Sequence, residues 1–354
     1  MTGYDYGNTR LRARRAALLR REHYATLLGR DLPGLLTALA ATCYRPQAEA
    51  AAGASGGGLA LLYRVADNHP GAALADVPGF YRGRAGNVVA ALFGRFDVGN
   101  VVALLRAAHH RRAGDAARNA LMLAGRLDPR TAGEAGAQPD LPAAARLLAG
   151  SRLPDPDSAA VLLAAARRYE VDTSLAAVEH AVASAARAHQ LRVLTAAGAA
   201  AEPVAAALRR ETDDLNLLLA LRLREAANGQ ATGNTESPYL PGGTVPGGLL
   251  TAIRRAPARA DVLAATAAAP GRWNSPLAAW ADGAGLATLE VRLHTGRLRA
   301  ELAVLRRADP LGAAPVLHHV LAHQAQTRNI RLLAQAAAGA IGHDTAQQHL
   351  ITPA

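Results

Sequence analysis

The sequence predicts an all-α fold of three related helical modules, on three observations. Half of the 354 residues are apolar yet only 4% are aromatic. That composition suits helices packed through small side chains better than sheets, which favour β-branched and aromatic residues. Proline followed by leucines at helical spacing opens "LPGLLTALAATCY" at 32, "LPAAARLLAGSRL" at 141 and "VPGGLLTAIRRAP" at 245, each a helix-start signal. Finally, a polar residue, two free positions and an asparagine recur ahead of an apolar run: Asp97 and Asn100, Asp213 and Asn216, Gln326 and Asn329. Alternating runs such as "YRVA" are too short to argue for strands.

The asparagines set a period. Asn100 to Asn216 is 116 positions, and Asn216 to Asn329 is 113. Twelve residues before each lie Val88, Val204 and Leu317, and eight before lie Leu92, Leu208 and Leu321. Val101, Leu217 and Ile330 follow directly. Positions −12 and −8 share one helix face, so each copy reads as a helix, a tight polar turn and a second apolar helix. On that reading Asp97, Asp213 and Gln326 cap the second helix by accepting its orphan N–H groups, and the six residues are the joints of an internal repeat. Asp5 and Asn8 reproduce the spacing 92 residues before Asn100, with no helix upstream, and stand outside the repeat.

Three units of this length nearly fill the chain and give modules at 1–125, 126–235 and 236–354. Loops are expected at "GEAGAQPDLP" (133–142) and "GQATGNTESPYLPGGTVPGG" (229–248), both rich in Gly, Pro and polar residues. "GASGGG" at 53–58 breaks the first module internally.

The formal charge is +11, and every basic residue counted in it is arginine. A positive excess suits an acidic protein partner, an anionic membrane surface or nucleic acid, or a merely solvated surface. Six arginines fall in "RLRARRAALLRR" (10–21), read as one helix in which Arg10, Arg14 and Arg21 line a basic face beside Leu11, Leu18 and Leu19. Single-strand nucleic-acid binders interleave such charge with stacking aromatics, which are scarce here. Cys43, the single cysteine, precludes an internal disulfide and fits a reducing compartment and a core position. The N-terminus lacks the apolar core of a signal peptide, and charges interrupt each apolar run short of the roughly 18 residues of a membrane span.

Catalytic chemistry finds no support. Without lysine there is no Walker A site, and the glycine clusters lack the strand-then-helix setting of a phosphate cradle. No G-x-S-x-G elbow appears. His319 and His323 sit four apart in "VLHHVLAHQ", a zinc-compatible spacing, but no acidic base follows His319 and no third ligand is near, so a polar helix face is the favoured reading. His109 and His110 suit a basic helix end. Asp213 and Asp214 are read as caps at the second joint. No catalytic, cofactor-binding or metal-ligating residue is assigned.

The blocks "YGNTRLRARRAALLRREHYATLL", "LPGLLTALAATCY", "VVAALFGRFDVGNVVALLRA", "ETDDLNLLLALRLREA" and "AQTRNIRLLAQAAAGAIGHD" resemble, in order and over nearly the whole chain, the C-type central-stalk component of V/A-type ATPases, the counterpart of the d-type component of eukaryotic vacuolar ATPases. The resemblance implies an all-helical funnel or socket of three modules about a pseudo-threefold axis. It implies a non-catalytic rotor subunit in the central stalk, between the axle built of the D and F subunits and the membrane rotor ring, coupling proton or sodium transport to ATP synthesis or hydrolysis. The protein is then expected on the cytoplasmic side, peripheral to the cell membrane, with no cofactor, small-molecule substrate or nucleic-acid partner. Gln326 departs from the acidic residue more usual there. The alternative is a helical-repeat scaffold that binds acidic proteins or nucleic acid.

Overall fold

The computed structural model describes residues 3–52, 58–111, 121–151, 156–226, 238–267 and 269–352. They form helices joined by turns, with no strand among the described residues. In order these are α1 (Asp5–Arg14), α2 (Arg21–Leu27), α3 (Leu32–Leu39), α4 (Arg45–Ala52), α5 (Leu59–Leu74), α6 (Gly83–His109), α7 (Pro129–Gly136), α8 (Leu141–Ala149), α9 (Pro156–Asp172), α10 (Leu175–Ala197), α11 (Glu202–Ala226), α12 (Gly247–Arg255), α13 (Arg259–Ala265), α14 (Asn274–Ala281), α15 (Leu286–Arg307), α16 (Ala314–Ala337) and α17 (His343–His349).

The proline-led segments begin helices as expected. Asp31 and Asp140 cap α3 and α8, each accepting the backbone N–H three residues on, with proline in the first turn. Pro246 occupies the cap position of α12. The loop expected at 133–142 is half helix, because Asp128 accepts from the Thr131 N–H and starts α7, which runs to Gly136. Of the later loop, residues 238–246 are non-helical and 247–248 open α12, whereas most of "GASGGG" lies outside the described residues.

Each anchor asparagine sits within a long continuous helix (α6, α11 or α16) and not at a turn between two helices. The physical reason is that its polar side chain is satisfied across space, so the helix need not end to supply a partner. The offset positions behave as a core face: Val88, Leu92, Val204, Leu208, Leu317 and Leu321 are buried, as are Val101, Leu217 and Ile330.

The helices cross from one core to another at the anchor. Their first halves share a central cluster in which Val88–Phe96, Val204–Leu208 and Ala314–Ala325 contribute residues together with Leu11 and Leu298. Their second halves enter separate clusters. Val101, Leu104 and Leu105 pack with α7–α10; Leu217, Leu218 and Leu221 pack with α12–α15 and both tryptophans. Ile330, Leu333 and Ala334 pack with residues 19–66, so the last long helix completes its core with the first helices of the chain. Asn8 adds to that closure: its side-chain amide donates to the carbonyls of Pro310 and Gly312 at 2.8 and 3.0 Å while the Tyr81 hydroxyl donates to its oxygen.

The helix expected over residues 10–21 is broken. α1 ends at Arg14, a short 3-10 turn covers Arg15–Ala17, and the chain is extended at Leu18 before α2. Consecutive side chains of an extended stretch point to opposite sides. Leu18 accordingly enters the central cluster and Leu19 the cluster of the chain ends.

α6 is long and apolar enough to cross a membrane by length and composition alone, yet two thirds of its most apolar window (67%) is buried inside the protein. Its apolarity serves the two cores it connects.

Candidate functional site

The three asparagines make one and the same arrangement. Asn100 donates from Nδ2 to the Met122 carbonyl at 2.9 Å and accepts the Met122 N–H at Oδ1 at 2.8 Å. Asn216 does so with Leu240 at 2.9 and 2.8 Å, and Asn329 with Ile351 at 2.7 and 2.9 Å. A carboxamide presents one donor and one acceptor side by side, the same pair a peptide unit presents. Each asparagine therefore holds a returning non-helical segment 22 or 24 residues downstream as a neighbouring strand would.

The aspartates face the same way, one helical turn earlier. Asp97 accepts the N–H groups of Arg126 and Leu127 at 2.9–3.0 Å, and Asp213 those of Thr244 and Val245 at 2.7 and 3.0 Å with the Thr244 hydroxyl at 2.7 Å. They anchor a downstream loop and do not cap their own helices. The close approach requires glycine: a Cβ on Gly125 would lie 2.1 Å from an Asp97 oxygen, and one on Gly243 2.5 Å from an Asp213 oxygen. Burial raises the Asp97 carboxyl against the pull of its backbone donors and Arg126.

Gln326 does not repeat this role. Its Oε1 faces the Tyr44 hydroxyl at 3.5 Å, and its Nε2 has no protein partner. It belongs to a polar seam between α16 and α5, with His69, His319 and His323, while His318 is buried beside it on α16. His319 and His323 are 2% and 5% exposed, so the polar-face reading fails: α16 is packed on both sides, and the spacing that suggested a surface stripe faces α1 and α5 instead. His69 stacks on Tyr44 with ring centres 3.9 Å apart, and His323 lies 5.5 Å from His69 and 4.7 Å from His319. Desolvation pushes His69, His318 and His319 down to about 4, Arg14 and Arg15 adding to it at His319, and pushes His323 well below its ordinary value. No group of three His, Cys, Asp or Glu among the described residues is placed to hold a metal ion.

Beside the joints lies a buried charge network. Glu211 (α11) is reached by Arg95 of α6 at 2.6 Å, Arg187 of α10 at 3.2 Å and Arg297 of α15 at 3.4 Å. Burial alone would raise Glu211, but the three guanidiniums outweigh it and hold the carboxyl far below the usual carboxylate range. Asp214 accepts from Trp273 Nε1 at 2.8 Å and pairs with Arg272 and Arg297 at 3.1 and 3.3 Å. Here burial prevails over these partners, and the Asp214 carboxyl is raised. Glu301 takes both nitrogens of a bidentate Arg210 fork at 2.6 and 2.8 Å. Asp213 and Asp214 thus sit mid-helix, divided between a loop anchor and this network, and do not cap a helix start.

A cleft of about 580 Å³ opens above the network, between α11, α15 and α16 with Phe96 of α6 at its wall. Glu211, Asp214 and Arg297 form part of its lining, and Leu215 and Val291 enter it 42% and 56% exposed. Leu215 and Val291 are two of six large apolar side chains exposed among the described residues, and these two share one concave, charge-floored site.

The basic face read at the N-terminus is divided. Arg14 pairs with Asp76 at 2.5 Å, Arg10 lies over the Phe80 ring, and Arg21 begins a different helix. Sequence reasoning missed Arg95, Glu211 and Arg297. One signal was available: five residues ahead of each anchor stand Arg95, Glu211 and Gln324, opposite charges at equivalent positions of the first two repeats. Cys43 is half-buried and not a full core thiol, its own pKa pushed up to about 11 by desolvation.

Compared with known proteins, residues 7–348 match the family model described as ATP synthase (C/AC39) subunit. No curated protein matches the chain. With its all-helical fold, the chain belongs to the ATP synthase (C/AC39) subunit family of V/A-type rotary ATPases.

Proposed function

We propose that this protein is the non-catalytic coupling component of the central stalk, seating the end of the D–F axle in the central cleft and resting on the membrane ion-carrying ring. The observation that carries this reading is the cleft itself: three long helices converge on it, Leu215 and Val291 stand exposed in it, and a buried ion network stiffens its floor. Torque transfer needs a seat that does not yield. Such a network resists splaying because pulling one partner away leaves an uncompensated buried charge.

In this reading the modules at 1–125, 126–235 and 236–354 surround the seat as a pseudo-threefold socket, and the three anchor asparagines, with Asp97 and Asp213, are its rigid joints. The third module borrows its outer core from α2–α5, closing the ring. The protein stays on the cytoplasmic side, peripheral to the membrane through the complex, and exposed arginines at the rim add a salt-sensitive part to partner binding. It hydrolyses no ATP itself.

Reconstitution tests the reading. Complexes assembled without this chain should hydrolyse ATP in the soluble head and fail to move ions, and adding the chain back should restore transport. Ion transport at the normal rate without it would refute the assignment.

A further inference from the structure

A second cleft, of about 360 Å³, opens where the first turns of α6 pass the C-terminal half of α10, and it shares no lining residue with the central cleft. Arg84, Asn87, Arg126 and His189 supply its polar lining over a floor that includes Val88 and Val193, and no carboxylate lines it. Arg84 is fixed by donating through Nη2 to the Ala196 carbonyl in the last turn of α10. One donor spent on that anchor leaves the rest of the guanidinium fork for a ligand. The Asp97 carboxylate is buried and takes the backbone N–H groups of Arg126 and Leu127; the Arg126 side chain, whose charge acts on Asp97, makes no ion pair with it and is exposed at the cleft.

We propose that this cleft binds a phosphate group. Two guanidiniums from separate parts of the chain would grip its oxygens, and the apolar floor would lie under whatever the phosphate is attached to. The shared chemistry is a phosphomonoester or phosphodiester, from a soluble phosphate compound or an anionic lipid headgroup. This cleft is separate from the one that would seat the axle.

The test uses the full chain, the Arg126→Ala variant, whose side chain is exposed, and Arg84→Gln, which keeps a donor for Ala196. Thermal melts in inorganic phosphate and pyrophosphate against sodium chloride at matched ionic strength read the soluble source. Flotation with phosphatidylcholine vesicles, with and without phosphatidic acid, reads the lipid source. The expected result is a saturable rise in melting temperature, or recruitment that requires phosphatidic acid, with each variant weakening the response at least about tenfold. Equal responses in the wild type and both variants, or no response in either arm, would overturn the proposal.

Discussion

Arg95 and Glu211 occupy the same position of two successive repeats, 116 residues apart, and their side chains meet at 2.6 Å at the centre of the molecule. Each stands five residues ahead of its anchor asparagine, so the repeat places opposite charges face to face where the two long helices converge. Arg187 and Arg297 complete the ring around the one carboxylate.

That relationship sets the first prediction. Glu211→Ala takes the shared anion from three largely enclosed guanidiniums, of which Arg297 alone keeps another carboxylate in Asp214, and should cost on the order of 3 kcal/mol. Arg95→Met removes one of three partners and should cost clearly less. Urea denaturation of both variants checks the order; a milder effect for Glu211→Ala than for Arg95→Met would contradict the shared-anion account.

The asparagines should be worth similar amounts at all three sites. Asn100→Leu, Asn216→Leu and Asn329→Leu each strand one backbone N–H and one carbonyl on the returning segment, an expected loss of about 2–3 kcal/mol apiece. Thermal melts would show three comparable decreases. An unchanged melting temperature in any of the three would remove that asparagine from the set of joints.

The glycines beside the aspartates make a sharper test of geometry. Gly243→Ala puts a methyl 2.5 Å from an Asp213 oxygen, and Gly125→Ala 2.1 Å from one of Asp97. Both should destabilise by about 1–3 kcal/mol as the carboxylate is driven from its donors. Combining Gly243→Ala with Asp213→Ala should cost less than the sum of the two, since the clash and the anchor vanish together. Strict additivity would contradict the arrangement.

The fold class was legible in the sequence, and so were the helix starts at Asp31 and Asp140, because local capping and apolar spacing decide them. The apolar offsets around each asparagine were legible too. What they meant was not: Asp97 and Asn100 suit a helix start by local preference, yet their partners lie 22 to 30 residues downstream, a distance at which local pattern carries no information. The histidines failed for a related reason. An i, i+4 pair defines a face, but only the packing of α5 on α16 decides that this face is inside. The charge network was hidden because surface and core arginines are indistinguishable in an arginine-rich chain.

The buried histidines of α5 and α16 predict acid lability. His69, His318 and His319 titrate near 4 in the folded protein and near 6.5 unfolded, with His323 shifted in the same direction. Their folded-state values are lowered, so the unfolded chain binds protons first as pH falls. Stability should be full above about 6.5 and decline between 6.5 and 4, each histidine contributing a slope of about 1.4 kcal/mol per pH unit. Urea midpoints across that range measure it, and His319→Phe should flatten the profile. A flat profile in the wild type would contradict burial of the neutral rings.

The central claim is that the cleft seats the axle. Its most direct test is the affinity of the purified D–F axle for variants that change only the exposed lining, Leu215→Glu and Val291→Glu. Leu215 and Val291 are not part of the buried core, so melting temperatures should stay close to that of the wild type. Calorimetric binding should weaken at least about tenfold for each, roughly 1.4 kcal/mol or more. Undiminished binding by both folded variants would contradict it.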